Sequence, residues 1–237
     1  EDLERATSQQ YSELLKTNSQ EIEQQKDALS QQLKDYYQDD TGQTYLLAID
    51  PYHYYRQANN YLKNGHVGDE IKDGKLLDNH MLAPNGKFTS NDFHSVIGAI
   101  LHKISSLFGN NSLMKTMFAI PMIFATLAVI PLFFITRKFA GNLGGVIASS
   151  ILAIHPTFLG RTPAGFSDTD AYTILFPLII LWLFSESFTT MNKKNKLIFG
   201  GLAGLFTGIF AFAWGGWWYV FNIILASTMV YFLYLLI

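Results

Sequence analysis

The 237 residues contain no cysteine, which excludes disulfides and thiolate-ligated metal sites. Basic residues are few and scattered. The 17 Lys and Arg stand against 19 Asp and Glu, for a net charge of −2, and no basic stripe marks a nucleic-acid partner. The six histidines show no metal-ligand spacing, which argues against zinc chemistry. Long stretches without any charge fill the second half of the chain, and a mean composition hides this contrast. Residues 1–112 hold most of the charge, whereas 113–237 are dominated by Leu, Ile, Phe, Ala and Gly. No signal peptide is visible at Glu1, and the chain ends at Ile237 within an apolar run. It is therefore expected to be a piece of a longer protein, with an upstream segment placing residues 1–112 across a membrane.

Residues 1–40 are rich in Glu, Gln, Lys and Ser, mostly good helix formers. Leu15, Ile22, Leu29 and Tyr36 recur every seven residues, but Asn18, Gln25 and Gln32 are polar, so a two-position coiled-coil seam fails. An amphipathic or solvated helix is expected. Thr44–Ile49 is a short apolar run leading into Asp50-Pro51, and a helical pattern then runs through Tyr61-Leu62. Gly65, Gly68, Gly74, Pro84 and Gly86 read as a loop. Phe93, Val96, Ile97, Ile100, Leu101, Ile104 and Phe108 recur at three and four. They predict an amphipathic helix over 93–108, suited to a membrane interface, with His94 and His102 on its other side.

A hydrocarbon core about 30 Å thick needs roughly 20 apolar residues per helix. Five candidate spans follow: Thr116–Thr136, Leu143–Leu159, Ala171–Thr190, Leu197–Ala213 and Trp217–Ile237. Pro121 and Pro131 should kink or unwind the first. Gly200-Gly201-Leu202-Ala203-Gly204 would let helices pack closely. Arg137-Lys138 and Lys193-Lys194-Asn195-Lys196 connect the first and second pairs of spans, so both belong on the cytoplasmic side. Helix parity then puts residues 1–112, the 160–170 loop and Trp214–Trp218 together on the outer face. The expected fold is mainly α. It is a polytopic membrane protein with a large external loop over 1–112 and about five transmembrane helices over 113–237.

Against this apolar background, charge in the outer loops needs a reason, because carboxylates cost roughly 2.5–3.5 kcal/mol next to hydrocarbon. Asp168 and Asp170 lie two apart at the mouth of an apolar run, and Asp50 shares their face. Three carboxylates suit a hard cation, Mg²⁺ or Mn²⁺, better than Zn²⁺. Such an ion could act as a Lewis acid towards a phosphate leaving group. Ser167 or Asp168 also has an ordinary reading as a helix cap. Arg161 is the one basic residue of the 160–170 loop. Its planar fork could brace a carboxylate or meet a phosphate, or simply pair with Asp168 or Asp170. His53 reads as a loop or packing histidine, the Tyr52/Tyr54/Tyr55 cluster as anchoring or packing, and Trp214–Trp218 as an aromatic belt.

Asp50-Pro51-Tyr52-His53-Tyr54-Tyr55-Arg56, paired with Arg161-Thr162-Pro163-Ala164-Gly165-Phe166-Ser167-Asp168-Thr169-Asp170, resembles the catalytic subunit of oligosaccharyltransferase. Gly65–Asp69 and Ala83–Gly86 look like the archaeal, AglB-like branch. The resemblance covers about residues 45–237. It implies a GT-C type membrane glycosyltransferase, multi-pass in the cell (plasma) membrane, with its active-site loops outside. The donor would be a glycan on a polyprenyl (dolichyl) phosphate or pyrophosphate, and the acceptor the Asn of an Asn-x-Ser/Thr sequon. By position, Asp50 matches the first acidic motif and Asp168/Asp170 the second. All three are implied to hold Mn²⁺ or Mg²⁺, with Asp50 near the acceptor amide. The family's downstream glutamate and its Trp-Trp-Asp-Tyr-Gly motif are absent, so this piece is expected to be inactive alone. The first motif also carries only one Asp.

Another polyprenyl-phosphate-dependent GT-C glycosyltransferase would also put acidic loops outside, and only downstream sequence separates the two. A transporter should carry ionisable residues near mid-bilayer. The apolar runs here carry almost none.

Overall fold

The computed structural model describes residues 2–109 and 112–236, leaving aside the side chains of 2–6, 8–10, 12–15 and 17. Two compact units result, 1–45 and 46–237. The first is α1 (Asp2–Tyr37) and a chain reversal. There Asp39 Oδ1 accepts from the backbone N–H groups of Thr41 and Gln43, both at 2.9 Å. Ile22, Leu29 and Tyr36 are all exposed, so the seven-residue pattern buries nothing among these three. Leu15, its first member, lies outside the described side chains.

The second unit begins with α2 (Ile49–Asn64), which carries the whole Asp50–Arg56 motif and stops at Gly65 with φ +77°. Left-handed backbone of this kind is a usual glycine terminus. What followed as a loop in the sequence reading is a three-stranded antiparallel sheet: β1 (Glu70–Lys72), β2 (Lys75–Asp78) and β3 (Lys87–Thr89). Lys72 pairs with Lys75 across a two-residue turn. The turn is Asp73-Gly74, with φ +52° and +74°, a combination that favours this hairpin type.

Arg56 ties α2 to the sheet. Its guanidinium meets Asp69 and, at 2.6 Å, the buried Asp78. Burial alone would raise the Asp69 carboxyl, but donors on Asn60, Asn79, His80 and Arg56 hold it well below the usual range. Gln57 donates to Asp78 at 3.4 Å and accepts from Ser95 at 3.3 Å.

Helix α3 (Phe93–Ser106) is capped by Asp92, whose Oδ1 accepts from Ser95 N–H at 2.8 Å. Its buried face is His94, Ser95, Gly98 and Ala99. Ile100 and Ile104 are exposed on another face, and His94, read only as lying opposite the apolar stripe, is among the most buried side chains of the helix. The physical reason is closeness. A Cβ on Gly98 would run into Met117 Sδ, so glycine at this position lets Met117 pack against the face that also buries His94.

Among the described residues, four helices are long and apolar enough to span a membrane: α4 (Leu113–Ile154), α6 (Asp170–Thr189), α7 (Lys193–Ala213) and α8 (Trp218–Leu236). Short α5 (Pro156–Arg161) lies between the first two. The 42-residue α4 doubles back at Gly141, where φ is +68° and ψ −175°. Ser149 Oγ donates to Val129 O at 3.2 Å, and a Cβ on Gly145 would touch Phe133. The first expected span is thus one arm of this hairpin, and the second is the other arm as far as Ile154, its last residues to Leu159 lying in α5. Backbone torsions leave the helix at Gly141 and not at Pro121 or Pro131, correcting the expected site of unwinding. Ile237, the end of the fifth expected span, lies outside the described residues.

The hairpin end meets the end of α6 through Lys138, 3.0 Å from Glu186 and 2.9 Å from Thr189 Oγ1. The basic connections therefore share one end of the helices. At the other end, Gly165 N–H donates to Phe118 O at 2.8 Å, and Leu47 N–H donates to Gly165 O at 3.0 Å. These bonds join the loop after α5 to the starts of α2 and α4.

Candidate active site

Asp50 lies in the first turn of α2 and is exposed, where the helix dipole favours a carboxylate. Tyr54 follows four residues later, on the same face of the helix. The Tyr54 hydroxyl is pushed well above the usual phenol range, first by burial and then by the charges of Asp168, Asp92 and Asp50. It stays protonated, with Asp168 as its hydrogen-bond partner. One phenol thus feels the charge of carboxylates from three separate segments.

Asp168 and Asp170 are half-buried. The loop turns tightly before them, with Asp168 N–H donating to Phe166 O at 2.9 Å. Asp168 Oδ1 then accepts from Thr169 N–H at 2.6 Å. Thr169, not Ser167 or Asp168, is the N-cap of α6, and its side chain makes no capping bond. Arg161 Nη1 stands 3.9 Å from Asp170 Oδ2, and its guanidinium lies 5.9 Å from the centre of the Phe166 ring. This is a loose, largely exposed pair, worth little to stability. Arg161 and Asp170 border a cavity of about 410 Å³ whose other lining includes His155, Thr157, Leu152 and Ile174.

The structure brings Asp50 and Asp168 to one tyrosine, and Arg161 to Asp170. It does not draw Asp50, Asp168 and Asp170 into a single tight cluster. Among the described residues, the one such group is Asp69, Asp78 and His80, with ligand atoms within 4.8 Å of one another. There Arg56 already supplies the positive charge between the carboxylates, which leaves that group a structural role. His53, 3.7 Å from Asp78, belongs to this network and not to the rim.

Three residues at the rim were given no part in the site by the sequence reading. Asp92 places one oxygen on the α3 cap, while its buried Oδ2 has no hydrogen-bond partner among the described residues. Unpaired buried carboxylate oxygen is costly, and here it adds to a set of oxygen donors suited to a hard cation. His94 and Ser167 are fully buried. Burial pushes the His94 imidazole down to about 3, so the ring is neutral.

Long apolar helices with carboxylates and an arginine collected at one end define a multi-spanning membrane protein with a polar site at its rim. The chain belongs to the oligosaccharyltransferase family, since the family model described as "Oligosaccharyl transferase STT3, N-terminal" matches residues 21–237. A dolichyl-phosphooligosaccharide-protein glycotransferase of Methanococcus voltae is 34% identical over 213 residues, covering 86% of this chain and 23% of that protein. Two solved structures of the Archaeoglobus fulgidus oligosaccharyltransferase are also similar. One, a complex with Zn and sulfate, gives a TM-score of 0.66 at 27% identity, covering 77% of this chain and 23% of the other. The second, AglB with an inhibitory peptide and a dolichol-phosphate, gives 0.65 at 26%, covering 77% and 22%. The chain spans about a quarter of the length of these relatives.

Proposed function

We propose that this chain is the N-terminal, carboxylate-bearing part of an oligosaccharyltransferase. The full enzyme would transfer a glycan from a dolichyl phosphate or pyrophosphate carrier to the Asn of an Asn-x-Ser/Thr sequon. Residues 1–112 form its external loop, 113–237 its membrane part, and the 160–170 loop faces outside. The observation that carries the reading is that the charges of Asp50, Asp92 and Asp168, from three segments, all act on the Tyr54 hydroxyl, and that Arg161 pairs with Asp170. All of these but Asp92 come from the motifs that resemble the family. The M. voltae relative's name and the A. fulgidus complex with peptide and dolichol-phosphate support the same chemistry.

Asp50, Asp168 and Asp170 would hold Mn²⁺ or Mg²⁺, as an all-oxygen donor set prefers. A bound ion of this kind supplies positive charge against the phosphate that departs. The chain's own residues do the rest. An amide nitrogen is a weak nucleophile because its lone pair is delocalised into the carbonyl. Asp50, exposed at the start of α2, accepts from the carboxamide N–H groups and localises that lone pair. As the new C–N bond forms, the sugar–phosphate C–O bond breaks, the phosphate keeps the electron pair and a carboxylate takes the amide proton. Arg161, at the mouth of the 410 Å³ cavity, meets the carrier phosphate with its planar fork. The cavity's Leu152 and Ile174 walls receive the first isoprene units.

The full-length enzyme in detergent, polyprenyl-linked glycan and a fluorescent Asn-x-Thr peptide test this. A gel shift that needs Mn²⁺, is lost in EDTA and disappears when Asn becomes Gln is expected. Asp50→Ala, Asp168→Ala and Asp170→Ala should each abolish most transfer while remaining folded. Retained activity in all three removes the reading. Sugar transfer to a lipid acceptor instead would indicate a different polyprenyl-phosphate-dependent GT-C enzyme.

A further inference from the structure

His94 has no part in the chemistry above, yet it occupies the centre of the rim. Its Nδ1 lies 2.7 Å from the Tyr172 hydroxyl and its Nε2 2.9 Å from the Ser167 hydroxyl. Ser167 immediately precedes Asp168, and Tyr172 lies two residues beyond Asp170. All three side chains are 1% exposed or less. One ring therefore grips both ends of the segment carrying the second acidic motif. On its other side the Tyr54 ring meets it edge-on, with centroids 4.7 Å apart. The Tyr54 hydroxyl in turn has Asp168 as its hydrogen-bond partner and feels the charge of Asp50.

A buried polar ring is costly unless both nitrogens are bonded. Here each nitrogen faces a hydroxyl, which donates or accepts as required, so a neutral imidazole is satisfied in either tautomer. Leucine or phenylalanine would fill the same space without demanding any orientation of Ser167 or Tyr172. The two hydrogen bonds add direction, and direction is what a cation site needs from its outer shell.

We propose that His94 is a positioning residue: hydrogen-bonded at both nitrogens, it sets the placement of Asp168 and Asp170 for a divalent cation without ligating that cation itself. This rests on the reading that those carboxylates hold the ion. Both nitrogens are already committed, which leaves no lone pair for the metal. The neutral ring also adds no positive charge to compete with it.

The test is Mn²⁺ binding to the full-length enzyme in detergent, followed by electron paramagnetic resonance without donor or acceptor. Wild type should bind, and Asp168→Asn should not. His94→Ala should weaken binding by about tenfold or more, as loss of an outer-shell partner does. Ser167→Ala and Tyr172→Phe, which each leave one bond, should fall between. At saturating Mn²⁺, His94→Ala should recover most of its turnover with the acceptor KM unchanged. Ile180→Ala, a cavity in the middle of α6, should lower the melting temperature and leave Mn²⁺ affinity alone. His94→Ala binding Mn²⁺ as wild type does, while Asp168→Asn fails, overturns the role of His94 but not the metal site. Weakened binding in Ile180→Ala overturns it too, because general destabilisation then suffices. Should His94→Ala not fold, Ser167→Ala and Tyr172→Phe decide, and wild-type affinity in both is the refuting result. Equal Mn²⁺ binding by wild type and Asp168→Asn, or none by wild type, removes the metal reading and this inference with it.

Discussion

Gly165→Ala is the sharpest single perturbation the structure offers. The residue sits at φ +92°, and its Cβ would lie 2.7 Å from Phe118 Cε2 and 3.0 Å from Leu47 Cγ. Two separate penalties follow. Left-handed backbone costs an L residue about 1–2 kcal/mol, and overpacking a filled site costs about 1–3 kcal/mol. Their sum, about 2–5 kcal/mol, is a large share of a typical stability of about 5–15 kcal/mol.

The chain can escape only by moving the loop, which breaks the bonds to Phe118 and Leu47. Asp168, three residues on, then moves with it. A displacement of about 1 Å at a reacting centre can cost on the order of a hundredfold in rate. Gly165→Ala should therefore lower the melting temperature of the full-length enzyme in detergent and reduce transfer steeply. Gly65→Ala is the control, since Gly65 has φ +77° but nothing within 4 Å of a Cβ. It should show the backbone cost alone, about 1–2 kcal/mol. Equal effects from the two variants would refute the claim that the Phe118 and Leu47 contacts make position 165 special.

Arg56→Ala should destabilise the sheet by about 3–5 kcal/mol, because it strands the buried Asp78 carboxylate; rapid proteolysis between residues 65 and 92 would report it. Acid should act at the same place. Asp69 is held below its ordinary value of 3.8, so its contribution is intact above that pH and is lost as pH falls through the depressed value. Protease resistance of this segment should fall below about pH 4, and Asp69→Asn should flatten that dependence. Arg161→Ala should change the melting temperature little, since an exposed pair is worth about 0–1 kcal/mol, yet it should cut transfer; a matching loss of stability would make Arg161 structural. Tyr54→Phe removes one hydroxyl among three carboxylates and should weaken Mn²⁺ binding while keeping the fold, measured by the same resonance titration.

Features written in consecutive residues were legible. Apolar length announced the spans, the basic connections share one end as expected, and the two acidic motifs come to a common tyrosine. The hairpin β1–β2 was missed, because its one local signal, the two residues Asp73-Gly74, was hidden among other glycines that read as loop. Gly141 was invisible for a related reason. A single left-handed residue reverses the chain, whereas prolines draw attention and here stay within helical torsions.

His94 shows the deeper obstacle. Hydrophobic periodicity assumes that the apolar stripe of a helix faces inward, and a membrane removes that assumption because lipid also accepts Ile100 and Ile104 on an outer face. Once apolar exposure carries no cost, the inward face is chosen by closeness and by polar satisfaction. Gly98 admits Met117, and His94 finds hydroxyls 73 and 78 residues away. No local window contains both partners. The motif aspartates could be found because their types alone suggest chemistry, but the ring that orients them lies in neither motif. In a membrane enzyme the buried polar contacts between helices are therefore the better guide to outer-shell residues, and a histidine satisfied at both nitrogens beside a carboxylate pair is the pattern to look for.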